Sequence, residues 1–136
     1  MTPEQLVQEA LQALRFAYAP YSGFQVGAAL LGKSGRVYRG CNVENAAFGP
    51  SNCAERTAIF KAVSEGERAF TAIAVVGGKD GVVTEIFPPC GVCRQVMQEF
   101  CEPDFMIYMG RGDGSFVAAR LDELLPYGFT AKEYMQ

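Results

Sequence analysis

Apolar residues near the start of the chain recur at helical spacing: Leu6, Val7, Ala10, Leu11, Leu14, Ala17 and Tyr18 share one helix face. Thr2 stands where an N-cap belongs, Pro3 takes the first helical position, and Gln5 completes a capping box. Pro20 is expected to end this helix, with Tyr21-Ser22-Gly23 as the loop that follows. Gln25 to Leu31 and Arg36 to Val43 read as two strands joined by Gly32-Lys33-Ser34-Gly35. The second strand runs into a polar group, Asn42-Val43-Glu44-Asn45, and residues 46–52 read as a loop.

Helical period returns from about Cys53 to Glu65, with Ala58, Ile59, Ala62 and Val63 on the apolar face and Gly66 as the stop. Thr71 to Val76 is continuously apolar, as suits a strand covered on both faces. Gly77 to Pro89 shows no clear period, and a third helix is predicted from Cys90 to about Cys101. Strands at Phe105–Met109 and Ser115–Ala119 flank a glycine-rich turn. A short helical turn, Leu121 to Leu125, meets Pro126, and Thr130-Ala131-Lys132-Glu133 has the composition of a last helix start. The order α-β-β-α-β-α-β-β predicts one α/β domain over 1–136: a three-layer α-β-α arrangement around a mixed five-stranded sheet.

Composition narrows the function. A chain of 136 residues is large enough for one real core and has little room for a second domain. The net charge of −3, with no basic run, argues against a nucleic-acid polymer as partner. No apolar stretch approaches the roughly 20 residues that span a bilayer, so no membrane partner is expected. The first residues hold neither a basic segment nor an apolar block, so no signal peptide is expected. The five cysteines are an odd number without export signals, which points to a reducing, cytoplasmic setting. Histidine is absent, which removes every imidazole ligand and every Ser/His or Cys/His nucleophile pair.

Chemistry concentrates at two predicted helix starts, Cys53-Ala54-Glu55 and Pro89-Cys90-Gly91-Val92-Cys93. A C-x-x-C pair alone also fits a redox dithiol, but that leaves Cys53 and Glu55 without a role. Glu55 alone also fits a capping box with Asn52. A closed structural zinc site needs four protein ligands. Cys101 lies roughly two helical turns beyond Cys93, too far to join, and Cys41 suits a buried small side chain in a strand. Cys53, Cys90 and Cys93 thus make a three-ligand set with an open fourth position, the pattern of a catalytic zinc, one ion per chain. Glu55 is placed to move protons beside a zinc-bound water. Three thiolates leave the site formally negative. Helix N-termini would offset that charge, as would Arg56, expected to hydrogen-bond a ligand sulfur.

The motifs F-Q-V-G-A-A-L, G-C-N-V-E-N-A, N-C-A-E-R-T-A and P-C-G-V-C-R-Q-V occur in that order. Together they resemble the small homotetrameric, zinc-dependent cytidine deaminases over about Tyr18 to Phe129. The resemblance implies hydrolytic deamination of cytidine and 2′-deoxycytidine to uridine and 2′-deoxyuridine plus ammonia, with Glu55 as base and then acid. It implies that the Ala54 backbone reads the base edge and that Asn42 and Glu44 bind the ribose hydroxyls. Phe24 would pack on the pyrimidine, and Phe129 would reach a neighbouring subunit's pocket. On the residues alone, Asn42 and Glu44 also read as polar caps of a strand-end turn, and Phe24 as ordinary core. Phe48 stands where relatives commonly carry tyrosine, so the ring is kept and a hydroxyl is missing. Two other readings stay open: a deaminase of a modified cytosine nucleoside such as blasticidin S, and a non-catalytic zinc-bearing module on the same fold.

Overall fold

The computed structural model describes residues 1–131. Helix α1 covers Pro3–Leu14. Its capping box closes in both directions: Thr2 Oγ1 accepts from the Gln5 N–H at 3.1 Å, and Gln5 Oε1 accepts from the Thr2 N–H at 2.8 Å. The helix stops short of the apolar pattern, which continues to Tyr18. The reason is a long-range pairing. The Tyr18 N–H donates to the Asn42 carbonyl at 2.9 Å, and the Tyr18 carbonyl accepts from the Glu44 N–H at 2.8 Å. Those bonds need an extended residue, and the chain leaves the helix through two bonds that each reach back three residues, at Phe16 and Ala17.

Strand β1 is Phe24–Gly32, β2 Val37–Cys41, β3 Phe70–Lys79, β4 Met106–Gly110 and β5 Phe116–Arg120. Helices α2 (Ala54–Ser64), α3 (Gly91–Phe100) and the short α4 (Leu121–Leu124) complete the order. The strands form one mixed sheet in the order β2-β1-β3-β4-β5, with β3 and β4 parallel and the other pairs antiparallel. The expected three-layer, five-stranded α/β architecture is therefore the observed one. Most strand limits shift by one residue from expectation, and two shift by more. β2 ends at Cys41, because Val43 beyond it pairs with Tyr18 and Asn52 instead of with β1. β3 runs on to Lys79, because its last residues pair with Gln25 and Phe24. The expected final helix extends past residue 131, outside the described residues.

Alternation along β1 and β3 sorts the core into two layers. Ala29, Ala74 and Val76 face α1, where Leu6, Val7, Ala10 and Leu14 cover them. Val26, Ala28, Leu30, Ile73 and Val75 face α2 and α3, packing with Ala58, Ile59 and Met97. The α2 layer sits close. A Cβ at Gly40 of β2 would lie 2.5 Å from the Ala54 carbonyl oxygen and 2.6 Å from the Ala58 nitrogen, both backbone atoms of α2. Glycine at that position lets the first turn of α2, which bears the candidate chemistry, rest against the sheet. Among the described residues, no helix is long and apolar enough to cross a membrane.

Candidate active site

Both cysteine stretches form the helix starts that the sequence predicts. Cys53 is the N-cap of α2 and Cys90 the N-cap of α3, both in extended backbone conformation. Neither thiol bonds to its own helix's first-turn amides, so both sulfurs are free to turn toward a shared point. The Sγ atoms of Cys53 and Cys90 are 3.6 Å apart, and those of Cys90 and Cys93 are 3.4 Å apart. All three lie within 4.8 Å of one another. Zn–S bonds of about 2.3 Å in a tetrahedron place sulfurs about 3.8 Å apart, close to this spacing. Soft sulfur donors at such distances suit zinc far better than a hard cation. Cys93 is fully buried and Cys90 exposed, so the set is closed from the inside and open on one side.

The electrostatics of the three sulfurs are those of a shared negative charge. A hydrogen bond from the Cys93 thiol and one from Arg56 help hold Cys53 down to about 5, against the opposing effect of burial. The same sharing pushes the Cys93 thiol up. Arg56 Nη2 donates to Cys53 Sγ at 3.2 Å, the contact expected from the sequence. The Arg56 Nε is buried and, among the described residues, has no acceptor.

Glu55 is 2% exposed, on the first turn of α2 beside this cluster. Burial pushes its carboxyl up to about 7. Asn52 does not form the capping box that would have explained Glu55 away: the N-cap is Cys53, and the Asn52 amide donates instead to Thr57 Oγ1 at 3.2 Å. Cys101 is buried at the end of α3, and Cys41 is half-buried in β2 with its thiol pushed up by burial.

The cluster opens into a cavity of about 500 Å³. Glu55, Cys53, Cys90 and Arg56 line its metal end. Phe24, Asn42 and Glu44 line it too, at the start of β1 and just beyond β2. Asn42 is buried and ties down the strand: its Oδ1 accepts from the Val26 N–H at 2.9 Å, and its Nδ2 donates to the Phe24 carbonyl at 2.8 Å. One amide hydrogen of Asn42 is left for another partner. The link from this wall to the cysteines is short. Val43 and Asn52 exchange backbone hydrogen bonds of 3.0 and 2.9 Å, which brings Cys53 next to the Asn42–Glu44 segment.

Three of the expected residues are not on the cavity wall, and one of them, Cys93, is fully buried beneath the other two sulfurs. Ala54 is completely buried behind the wall, and Phe129 is 68% exposed with its carbonyl held by Gln95 Nε2 at 3.0 Å. Phe48 lines the rim and is almost wholly exposed. Sequence reasoning missed Phe87, whose ring lies over Gly77 and forms part of the wall, and Ser22, which touches Glu44. The stretch around Phe87 shows no period, and Ser22 looked like an ordinary loop serine. No local signal marks either.

Comparison with known proteins is consistent over nearly the whole chain. Residues 1–109 match the family described as "Cytidine and deoxycytidylate deaminase zinc-binding region". A cytidine deaminase of Halalkalibacterium halodurans is 53% identical over 133 residues, 98% of each chain. One from Sporosarcina psychrophila is 47% identical over 133 residues, covering 98% of this chain and 95% of that protein. The crystal structure of a cytidine deaminase from Burkholderia pseudomallei superposes with a TM-score of 0.87 at 46% identity, covering 95% of this chain and all of that one.

Proposed function

The chain belongs to the family of cytidine and deoxycytidylate deaminases, and from that premise we propose that it hydrolyses cytidine and 2′-deoxycytidine to uridine and 2′-deoxyuridine, releasing ammonia. One observation carries the reading: a carboxyl group, Glu55, is buried beside three convergent sulfurs at the floor of an open cavity. A closed structural metal site has no use for that carboxyl.

A zinc ion held by Cys53, Cys90 and Cys93 would supply, when bound, Lewis-acid activation of water. Glu55 takes one proton from the attacking water and passes it to the ring nitrogen, then takes the second from the hydroxyl left on the ring carbon and passes it to the amine, which departs as ammonia while the carbonyl forms. Its burial favours the neutral acid more than an exposed site would, and so helps it alternate between base and acid near neutral pH. Arg56 offsets the excess negative charge of the thiolates through Cys53. Asn42 and Glu44 receive the ribose hydroxyls, and Phe24 packs on the base.

The enzyme works as a homotetramer in which Phe129 approaches a neighbouring subunit's cavity. The high exposure of Phe16, Phe48, Tyr127 and Phe129 supports an apolar surface covered by other copies. Its five cysteines are all free thiols among the described residues, in keeping with a cytoplasmic, pyrimidine-salvage role. The test is ultraviolet absorbance of cytidine incubated with zinc-loaded protein, with ammonia assayed in the same sample. Loss of cytidine absorbance with matching ammonia supports the reading; an unchanged spectrum from fully zinc-loaded protein overturns it.

A further inference from the structure

The loop between α1 and β1 holds the Glu44 carboxylate on both oxygens. The Tyr21 and Ser22 N–H groups donate to Oε1 at 3.0 and 3.1 Å, and the Ser22 hydroxyl donates to Oε2. The same hydroxyl accepts from the Phe24 N–H at 3.0 Å. Ser22 therefore links the Glu44 carboxylate to the backbone of Phe24, two residues that line the same part of the cavity.

Ser22 is itself pinned from β3, the central strand of the sheet. Lys79, the last residue of β3, donates from Nζ to the Ser22 carbonyl at 2.9 Å, and its ammonium lies 5.4 Å from the centroid of the Phe24 ring. The neighbouring Asp80 N–H donates to the Gly23 carbonyl at 2.7 Å. Gly23, at φ +74°, makes room for this clamp, since a Cβ there would stand 2.9 Å from Lys79 Nζ. An ionised carboxylate offers about four acceptor positions. The loop fills three of them, which leaves one direction for a substrate hydroxyl.

We infer that Ser22, held by Lys79, is a positioning residue that fixes the Glu44 carboxylate and the Phe24 ring in one register and thereby sets the affinity for the sugar hydroxyls. Neither Ser22 nor Lys79 touches the metal end of the cavity, so bond making at the base does not pass through them. The inference rests on Glu44 binding a ribose hydroxyl, as proposed above.

The experiment compares zinc-loaded full-length wild type, Glu44→Gln, Ser22→Ala, Ser22→Thr, Lys79→Met and Lys79→Arg on cytidine and on 2′,3′-dideoxycytidine, which lacks both secondary hydroxyls. Wild type should prefer cytidine, and Glu44→Gln should erase most of that preference. Ser22→Ala and Lys79→Met should each lower the cytidine to dideoxycytidine ratio of kcat/KM by about tenfold, the scale of one lost charge-assisted hydrogen bond. The loss should appear in KM for cytidine, with kcat and zinc content kept, and Ser22→Thr and Lys79→Arg should recover most of it. If Glu44→Gln keeps the wild-type preference, the hydroxyl role of Glu44 fails and the inference falls with it. If Glu44→Gln loses the preference while Ser22→Ala and Lys79→Met retain it, the positioning role alone is overturned. An equal loss on both substrates, carried by kcat, would show a general structural role and also overturn it.

Discussion

Arg56 Nη2 reaches back along the first turn of α2 to within 3.2 Å of Cys53 Sγ. Spacing of three residues on a helix puts two side chains on one face, so the sequence Cys-Ala-Glu-Arg delivers a cation to the sulfur of Cys53. Thiolates carry more negative charge than one zinc ion cancels, and a buried excess charge is costly unless paired. Arg56→Ala should therefore lower zinc affinity or turnover by about 10–100-fold, the usual scale for losing a partner of a ligand. Metal content after dialysis against a weak chelator, together with kcat, checks this. Wild-type values for both would remove Arg56 from the site's chemistry.

Glu55 is the buried carboxyl beside the sulfurs, and proton transfer by a positioned group is worth about 10²–10⁴ in rate. Glu55→Gln keeps the shape and the burial but cannot accept a proton. The variant should bind zinc as wild type does and lose turnover by a factor in that range. Near-normal kcat in a zinc-replete Glu55→Gln protein would mean that another group moves the protons.

The candidate ligand set was legible in the sequence because each half of it is local. Cys53, Glu55 and Arg56 share one helix turn, Cys90 and Cys93 another, and the caps and stops around them are read from nearest neighbours. The expected sheet followed from the order of elements. What could not be read was register. Tyr18 sits at a helical position in the pattern but pairs with Asn42 and Glu44, and only the folded sheet brings those residues beside it. Lys79 ended a strand that looked complete at Val76, and its partner Ser22 lies 57 residues earlier. Contacts of that kind depend on which residues of β1 and β3 face each other, which no local pattern encodes.

Gly40 and Gly27 separate the two faces of the sheet experimentally. A Cβ at Gly40 meets the backbone of α2, whereas a Cβ at Gly27 would lie 2.2 Å from the Ala10 carbonyl oxygen, in α1. Forcing either helix outward should destabilise the protein by about 1–3 kcal/mol, as overpacking does. Only Gly40→Ala moves the turn that bears Cys53 and Glu55. Both variants should unfold at lower temperature, but zinc affinity and kcat should fall in Gly40→Ala and hold in Gly27→Ala. Equal zinc affinity and kcat in the two would show that the seat of α2 on β2 does not set the site.

The Glu44 carboxyl is held below the usual carboxylate range, first by the Ser22 hydroxyl and then by the backbone N–H groups of Ser22 and Tyr21. A group whose folded value lies below its unfolded value contributes stability that is complete above the unfolded value. That contribution is lost as pH falls through the folded value. Ser22→Ala removes the largest of the three causes and leaves both amides, so the carboxyl should titrate at a higher pH than in wild type but still below an unstructured glutamate. Its contribution to stability should then disappear earlier as the solution is acidified. Carbon-13 NMR titration of the Glu44 side-chain carboxyl in the two proteins reads the shift directly. Coincident midpoints would mean that the amides alone hold the carboxylate, and that the hydroxyl of Ser22 does no more than accept from Phe24.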